Sequence, residues 1–532
     1  MMRKYRLISL SMIISYLSVS PVRAQYEVVP LPQSIEMQKG EPFVLNGDVQ
    51  ILAEEGLQHE AAFLQAYLKD MKGQTLAIAQ KREKKVSYIE LAVSPKVTQP
   101  EGYVLSINNK KGITIAGGSA AGVFYGIQTL RKAIAQKDTL PAVTITDAPR
   151  FSWRGMHLDC SRHFFSVQFV KKFIDLLALH QMNVFHWHLT DDQGWRIEIK
   201  KWPKLITVGS QRSGTIIGTN SDLDDETPHG GYYTQEQCRE IVAYAAERHI
   251  TVVPEIDMPG HMLAALASYP ELGCTGGPYQ VGHYWGVYKD VLCVGNPRVY
   301  EFVQDVLTEV MAIFPSEVIH IGGDETPTEK WGQCPKCQAL NLPNDKIQAY
   351  FTKRVFDFLT AHHRRALGWD EILDGCPQDA MIMSWRGSAP GAKAAAEGHD
   401  VVMSPTSHCY FDYQQWEETA HEPSRCGGFI PVEKVYALDP APDNLSAEAR
   451  SHILGAQANI WTEYIYTEGM VEYQALPRMS ALAEVQWTQP ERKDYEAFKQ
   501  RLNGLIPLLE LYHYRYAKHL WPERQLPSRW QF

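Results

Sequence analysis

The long alternation of strand-like and helical segments limits the fold of this 532-residue chain more than any other feature. Short apolar runs that are typical of buried strands alternate with stretches that have the period of an amphipathic helix. The predicted strands are Gly155–Asp159, Asn183–Leu189, Thr251–Ile256, Val318–Ile321, Ala366–Trp369, Met381–Trp385, Val401–Ser404 and Leu454–Trp461. Clear helical patterns between them cover Val167–His180, Thr234–Arg248, Pro297–Phe314 and Lys346–His362. Such an alternation predicts an α/β fold, a (β/α)8 TIM barrel with long insertions.

An open, doubly wound parallel sheet is the alternative fold for the same alternation. In its dinucleotide-binding form that sheet carries a Gly-x-Gly-x-x-Gly turn after the first strand. No such motif follows Asp159. The closed barrel is therefore the preferred prediction.

Residues 25–147 predict a smaller α+β domain that precedes the barrel. Strand-like runs (Tyr103–Ile107, Gly112–Ile115) mix here with helical patterns (Leu57–Met71, Ala120–Ile134). No residue types suited to catalysis gather in this part of the chain, so we interpret it as structural. The barrel is assigned to residues 148–490. Residues 491–532, with Trp521 and Trp530, are predicted to form a helix and tail that pack on the barrel.

The first 24 residues have the features of an export signal. A positive start is followed by the apolar stretch Leu7–Leu17, which is too short to span a bilayer, and Val22-Arg23-Ala24 fits a cleavage site. We therefore expect an exported protein, periplasmic or secreted. Without the four basic residues of this leader, 48 basic residues stand against 61 acidic ones, a formal charge of −13.

The charge distribution and hydropathy limit the partners that this chain is expected to have. No basic patch stands out, which argues against a nucleic-acid partner. No second long apolar run exists in the sequence, so no membrane span is predicted. The oligomeric state is not readable from the sequence.

Chemically useful residues follow each of the eight predicted strands. In a barrel of this class the active residues lie at the carboxyl ends of the strands. The corresponding positions are Arg162-His163, Asp191-Asp192, Asp257 to His261, Asp324-Glu325, Trp369-Asp370-Glu371, Trp385-Arg386, Tyr410-Phe411-Asp412 and Trp461-Thr462-Glu463. The convergence of carboxylates, tryptophans and an arginine from eight segments predicts one polar, aromatic-lined site.

The end of the fourth predicted strand has the most unusual composition of these. Val318–Ile321 runs into Gly322 and Gly323 and then into the adjacent carboxylates of Asp324 and Glu325. Glycine allows the backbone to approach a ligand closely, because no Cβ intrudes. Two carboxylates at close range raise the pKa of one of them, which keeps an acid protonated near neutral pH.

These segments resemble glycoside hydrolase family 20, the β-N-acetylhexosaminidases. The residues that carry the resemblance are His320-Ile-Gly-Gly-Asp-Glu325, Trp187-His-Leu-Thr-Asp-Asp192, Pro254-Glu-Ile-Asp-Met-Pro-Gly-His261, Gly368-Trp-Asp370 and Trp461-Thr-Glu463. The likeness also includes Ala121-Gly-Val-Phe-Tyr-Gly126 in the first domain, and it covers nearly all of the chain after the leader. It implies a retaining enzyme in which the 2-acetamido oxygen of the substrate is the nucleophile.

The resemblance implies specific catalytic roles for three residues. Glu325 matches the general acid and base, and its pKa is expected to be raised by burial and by the neighbouring carboxylate. Asp324 matches the residue that orients the acetamido group and stabilises its positive charge. Tyr410 matches the residue that hydrogen-bonds the acetamido oxygen and so aligns it for attack.

Substrate-binding roles are implied in the same way. Trp369, Trp385 and Trp461 match the aromatic walls that enclose the acetamido methyl group. Arg162 resembles the arginine that holds the C3 and C4 hydroxyls, while Asp412 and Glu463 would accept from the C4 and C6 hydroxyls. The spacing of two within Tyr410–Asp412 and Trp461–Glu463 would put each pair on one face if the chain were extended.

Two further residues, Asp191 and His261, match positions that set the charge state of Glu325. A structural histidine is the alternative interpretation of His261. Because all free hydroxyls of the terminal sugar would be held, the resemblance implies an exo-acting enzyme that removes one residue from the non-reducing end. The choice between N-acetylglucosamine and N-acetylgalactosamine stays open, as does the role of the loops Ser213–Thr227 and Cys274–Val294.

Two other functions were weighed against this one. A metal-dependent hydrolase is suggested by His186 and His188, which lie on one strand face at a spacing suited to metal ligands. Their position inside the predicted strand fits poorly with an open metal site, so we predict no metal and no cofactor. A sugar-binding protein without catalysis would lack the acid, yet both Asp324 and Glu325 are present.

The nine cysteines all lie at or after Cys160. Their odd number leaves at least one thiol free or paired between chains. Cys334 and Cys337 form a Cys-x-x-Cys motif, but a zinc ribbon needs a second such pair, and none is present in the sequence. A local disulfide or two structural thiols are predicted instead, as suits an exported chain.

Overall fold

The computed structural model of the chain describes residues 24–109, 112–218, 221, 223–418, 422 and 427–521. Its larger part is a closed barrel of eight parallel strands. They are Trp153–Asp159, Val184–His188, Thr251–Glu255, Val318–His320, Arg365–Trp369, Met381–Ser384, Val401–Met403 and Ile453–Ala458. The last strand pairs with the first, with Trp153 opposite Gly455, and this pairing closes the barrel. The predicted (β/α)8 barrel is confirmed, and strand ends differ from the predicted ends by at most three residues.

Helices follow the barrel strands, as the alternation predicts. The longer ones are Val167–Leu179, Gln235–Ala246, Pro297–Ile313, Asn344–Ala361, Ser388–Ala396, Glu468–Ala475 and Arg478–Trp487. In the first of these, Ser166 caps the helix by accepting a hydrogen bond from the backbone N–H of Phe169. Phe169, Phe173 and Leu177 lie at helical spacing and are buried, which holds this helix against the barrel core.

The first domain is built on a seven-stranded mixed sheet. Its spatial order is Ser34–Met37, Val143–Asp147, Tyr103–Asn108, Gly112–Gly117, Tyr88–Val93, Gln50–Ala53 and Ile78–Ala79. The helices Gln58–Lys72 and Ala120–Gln136 pack against each other and on this sheet, and a short ribbon pairs Phe43–Val44 with Thr139–Leu140. The predicted α+β domain before the barrel is therefore confirmed.

Buried polar contacts join the two domains. The carboxylate of Asp147, at the end of a first-domain strand, accepts a hydrogen bond from Trp487 Nε1 at 3.0 Å and from the Tyr103 hydroxyl at 2.7 Å. Arg154, in the first barrel strand, donates two hydrogen bonds to Glu101 of the first domain, at 2.7 and 2.9 Å. Because these groups are largely excluded from water, each needs its partner in the other domain.

The C-terminal helix Tyr495–Leu511 lies against both domains. It packs on the first-domain helix Ala120–Gln136, and Arg501 forms a buried ion pair with Glu484 of the last barrel helix. The tail therefore contacts more than the barrel on which it was predicted to pack. Trp521 donates through Nε1 to Asn503 at 2.8 Å, whereas Trp530 lies outside the described residues, as do residues 1–23 of the predicted leader. Within the described ranges, no helix has the length and apolar character needed to cross a bilayer.

Candidate active site

Two glycines turn the chain at the end of the fourth barrel strand. Gly322 and Gly323 have φ angles of 67° and 92°, in the region that favours glycine. A Cβ on Gly322 would lie 1.7 Å from Asp257 Oδ1, and one on Gly323 would lie 2.5 Å from a methyl group of Ile372. The glycine pair therefore lets the backbone turn tightly at the mouth of the barrel, immediately before Asp324 and Glu325.

Asp324 is the more enclosed of the two adjacent carboxylates. Its side chain is 14% exposed. Burial, followed by the charges of Glu255 and Glu325, raises the pKa of Asp324, although the nearby His261 opposes this shift. Among the described residues, no hydrogen-bond donor reaches its buried Oδ1 atom. A buried acceptor without a donor costs free energy, so this oxygen is suited to a donor that arrives with a ligand.

Glu325 is more open, since its side chain is 42% exposed. The imidazole of His261 places Nε2 3.6 Å from Glu325 Oε2 and 3.8 Å from Asp324 Oδ2. The nearby His261 lowers the pKa of Glu325, and the smaller contribution of burial does not reverse this. The prediction that the pKa of Glu325 is raised is therefore wrong for the site as it stands in this structure. Of the two adjacent carboxyls, Asp324 is the one whose pKa is raised.

His261 connects this pair to a second pair of carboxylates. Its Nδ1 lies 3.1 Å from Asp192 Oδ2 and 3.3 Å from Asp191 Oδ1. Burial alone would lower the pKa of His261, but the charge of Asp191 and its hydrogen bonds raise it well above the usual value. These contacts favour the protonated, positively charged form of His261. Its backbone φ of 50° and that of Glu325, 43°, are strained for residues other than glycine.

The structure shows a chain of buried polar groups behind Asp191 that the sequence did not predict. His188 Nε2 lies 2.9 Å from Asp191 Oδ2, and His188 Nδ1 lies 2.6 Å from Glu255 Oε2. Glu255 also accepts from Trp369 Nε1 at 3.0 Å and lies 3.0 Å from His320 Nδ1. Nearby histidines hold the pKa of Glu255 well below its usual value despite burial. This network favours the ionised form of Glu255. The hydrogen bond from Trp369 Nε1 to Glu255 orients the ring of Trp369.

Three polar side chains hold the guanidinium of Arg162. Its guanidinium lies 2.9 Å from Asp191 Oδ2 and donates to Asp159 at 3.2 Å and to Gln193 at 3.0 Å. Its Cζ atom lies 5.1 Å from the ring centre of Trp461. The guanidinium is thus oriented before any ligand binds, and Asp191 links it to His261.

Three tryptophans and a tyrosine form an aromatic box. The ring centres of Trp369 and Trp461 are 5.8 Å apart, those of Trp461 and Tyr410 are 6.4 Å apart, and Tyr410 stacks on Trp385 at 6.2 Å. Glu371 accepts a hydrogen bond from Trp385 Nε1 at 2.8 Å, and burial followed by the charge of Asp324 raises the pKa of Glu371 to about 7. The sequence placed Glu371 at this strand end without giving it a role, and its contact with Trp385 was not anticipated.

The remaining predicted residues lie at the same rim. Burial and the charges of Asp412 and Asp324 raise the pKa of Tyr410 well above its usual value. Burial also raises the pKa of Glu463, which Arg162 opposes, and the buried Glu463 Oε2 has no hydrogen-bond partner among the described residues. Tyr410 forms an isolated bridge with Asn459, and neither Tyr410–Asp412 nor Trp461–Glu463 lies in a regular strand, so the spacing of two does not by itself put each pair on one face.

His186 and His188, which suggested a metal-dependent hydrolase, are buried in the barrel interior. His186 Nε2 lies 3.0 Å from Glu255 Oε2, and His157, His186 and Glu255 could together offer three ligand atoms. These residues have no exposed surface. A catalytic metal needs an open coordination position that the substrate reaches. This group of residues offers none, which argues against that function.

Comparison with known proteins agrees with this geometry. The model of the glycosyl hydrolase family 20 catalytic domain matches residues 151–490, and that of the family 20 domain 2 matches residues 25–148. The chain belongs to glycoside hydrolase family 20. The resemblance seen in the sequence is therefore confirmed, and with it the predicted enzyme class, a glycoside hydrolase of the β-N-acetylhexosaminidase family.

Relatives within family 20 align over most of the chain. A β-hexosaminidase of Porphyromonas gingivalis is 41% identical over 508 residues, which are 92% of this chain and 64% of that protein. The family 20 exo-β-N-acetylglucosaminidase of Vibrio harveyi is 32% identical, with a TM-score of 0.83, and the match covers 95% of this chain and 80% of that one. The family 20 β-N-acetylhexosaminidase of Streptomyces coelicolor is 33% identical, with a TM-score of 0.80, covering 96% and 99%.

Proposed function

We propose that this family 20 protein removes terminal β-linked N-acetylglucosamine or N-acetylgalactosamine from the non-reducing ends of glycans. The mechanism would be retaining, with the 2-acetamido oxygen of the substrate as the nucleophile. The observation that carries this proposal is the buried Oδ1 atom of Asp324, to which no described residue donates, in the residue directly before Glu325. A 2-acetamido N–H is the donor that fits it.

In the first step the acetamido oxygen bonds to the anomeric carbon while the glycosidic C–O bond breaks. Glu325 gives its proton to the departing oxygen, so the leaving group departs as an alcohol. The product is a bicyclic oxazolinium ion whose N–H is held by Asp324, and the carboxylate stabilises the positive charge. The Tyr410 hydroxyl donates to the acetamido oxygen, and the tryptophan walls exclude water from the methyl group.

In the second step water attacks the anomeric carbon on the face that the leaving group vacated. Glu325, now ionised, takes a proton from that water. The bond between the anomeric carbon and the acetamido oxygen breaks, the oxazolinium ring opens, and the acetamide is restored. Two inversions at one carbon give net retention, and Glu325 ends protonated, ready for another turnover.

The charge arrangement at the site has to change when substrate binds, because Glu325 must be protonated and Asp324 ionised. An acetamide N–H that donates to Asp324 favours its ionised form. A sugar that covers the exposed side of Glu325 removes water and favours its protonated form. His261, held by Asp191 and Asp192, limits how far the pKa of Glu325 rises, so that the same group serves as acid and then as base.

Exo action is supported by the fixed groups at the side of Arg162. The guanidinium is already anchored by Asp159 and Asp191, and Glu463 Oε2 has no donor in the part of the chain that the structure describes. A terminal sugar would satisfy these groups through its free hydroxyls, whereas a further glycosidic bond at the C4 hydroxyl would remove one of the donors. We also propose that the chain is exported, on the basis of residues 1–24.

The direct test is hydrolysis of an aryl 2-acetamido-2-deoxy-β-glucoside and of its 2-hydroxy counterpart by the full chain. Cleavage of the acetamido sugar alone, inhibited by a thiazoline analogue of the oxazolinium ion, is the expected result. Equal cleavage of both sugars would contradict substrate assistance. Cleavage of neither would contradict exo action on monosaccharide ends and would favour a sugar-binding protein or an enzyme that releases disaccharides.

A further inference from the structure

Four cysteines that are distant in the sequence come together beside the active-site loops. They are Cys274, Cys293, Cys334 and Cys337, named here the four-cysteine cluster. Their sulfur atoms all lie within 4.8 Å of one another. The measured separations are 3.6 Å between Cys293 and Cys334, 3.7 Å between Cys293 and Cys337, and 3.9 Å between Cys274 and Cys337.

These separations correspond to a tetrahedral thiolate site. Zinc binds cysteine sulfur at about 2.3 Å, so the edge of a regular ZnS4 tetrahedron measures about 3.8 Å. A disulfide bond is about 2.05 Å long, so the sulfur pairs of the cluster are far outside bonding distance. We propose that the four-cysteine cluster binds a zinc ion, which holds the structure together and takes no part in the chemistry.

The surroundings of the cluster suit a buried thiolate site. Cys293, Cys334 and Cys337 are buried, and Cys274 is half-buried. The backbone N–H of Gly295 donates to Cys337 Sγ at 3.4 Å, as is usual for groups that orient a metal ligand. A Cβ on Gly295 would lie 2.1 Å from the carbonyl oxygen of Lys336, so only glycine allows this approach of the two backbones.

The sequence motif Cys334-Pro335-Lys336-Cys337 supplies one half of the site. Pro335 begins the short helix Pro335–Gln338, with Cys334 at its N-cap and Cys337 in its first turn, so the two thiols lie on the same side. Cys274 and Cys293 supply the other half from the long loop after the third barrel strand. They are 19 residues apart and form no Cys-x-x-Cys motif, so the sequence does not show a second pair of zinc ligands.

The zinc ion would join the loop after the third barrel strand to the segment after the fourth. The first of these contains His261 and the second contains Asp324 and Glu325. The joined loop also contacts the site, because Gly282 N–H donates to Asp192 O at 2.8 Å and Gln193 Nε2 donates to Tyr284 O at 2.9 Å. Loss of the metal is therefore expected to loosen the wall that carries these contacts.

The test is metal and thiol analysis of the full chain, purified without chelator or reductant. One equivalent of zinc per chain, and alkylation of all four cysteines after unfolding without a reductant, is the expected result. Peptides that are disulfide-linked among these cysteines, with no bound metal, would overturn the proposal and assign two disulfides in an oxidising compartment. Iron in place of zinc would overturn the identity of the metal.

Cysteine variants distinguish zinc binding by the four-cysteine cluster from any effect of other buried thiols. Cys334→Ser and Cys337→Ser are each expected to lower the zinc content by about ten-fold or more and to raise KM. Cys238→Ser is the matched control, since Cys238 is buried in the helix Gln235–Ala246 outside the cluster, and its zinc content should equal that of the parent protein. Full zinc content in both cluster variants would contradict the proposal. If both variants fail to fold, the metal and thiol analysis of the parent protein decides alone.

Discussion

His261 Nε2 lies 3.6 Å from Glu325 Oε2 and joins the acid of the site to the buried carboxylate of Asp191 on its other nitrogen. The proximity of His261 lowers the pKa of Glu325 and so favours its ionised form. Asp191 also lies 2.9 Å from Arg162, so one buried carboxylate contacts both His261 and this guanidinium.

Replacing His261 with asparagine should move the alkaline limb of the pH profile for kcat/KM to higher pH. The general acid works in its protonated form, so activity falls as pH rises through the pKa of Glu325. Removing the charge of His261 raises that pKa, and the fall then begins at higher pH, while the maximal rate drops because Glu325 loses a positioning contact. The exposed His59 provides a control in His59→Asn, whose profile should match the parent. An unchanged or acid-shifted limb in His261→Asn would refute the coupling.

Glu325→Gln should lower kcat/KM by about 10²- to 10⁴-fold for substrates with poor leaving groups. For an activated aryl leaving group, which departs without a proton, the loss in the first step should be much smaller. Steady-state kinetics with a matched pair of leaving groups would measure this difference, with the exposed Glu329→Gln as control. An equal loss with both leaving groups would exclude Glu325 as the acid.

Arg162→Lys should raise KM by about ten-fold or more, since lysine cannot reproduce the planar, forked donors that also bind Asp159 and Asp191. The loss should be smaller for a substrate that lacks the C3 or C4 hydroxyl, because neither the parent enzyme nor the variant can then make that contact. Arg82→Lys, at an exposed position of the first domain, is the control. A full loss with the deoxy substrates would show that Arg162 acts on the fold rather than on the sugar.

Asp147→Asn should destabilise the folded protein by about 2 kcal/mol, because the amide has one acceptor oxygen where the carboxylate has two. Asp147 accepts from Tyr103, Trp487 and two backbone N–H groups, and it joins the two domains. Burial raises the pKa of Asp147 to about 6, so thermal unfolding should be followed well above that pH, where the carboxylate is ionised. An unfolding temperature as high as that of the exposed control Asp48→Asn would contradict this role.

The candidate site residues could be proposed from the sequence because they follow strands, and strand ends converge in a barrel. The network behind them was missed, since it depends on strand register. His188 is opposite Glu255 in the pairing of the second and third strands, and Glu255 is opposite His320 in the next pairing. Neither register is readable from periodicity, which reports the face of a residue and not its neighbour on the adjacent strand.

Two other features depended on tertiary structure in the same way. The lowered pKa of Glu325 comes from His261, which is 64 residues earlier in the chain, and from an exposed fraction of 42% that the strand pattern does not report. The four-cysteine cluster closes two loops whose paths only the folded chain defines. Loops of this length carry no periodic signal.

In the proposed mechanism the acetamido oxygen of the substrate is the nucleophile, and Asp324 orients it. The most direct measurement is kcat/KM for aryl glycosides whose N-acetyl group carries zero to three fluorine atoms, since fluorine weakens the amide oxygen as a nucleophile with little change in size. We predict a steep fall in rate with each fluorine for the parent enzyme, and a much shallower fall for Asp324→Asn. A rate that is independent of fluorination would contradict the substrate-assisted mechanism and would require a nucleophile from the protein or a directly attacking water.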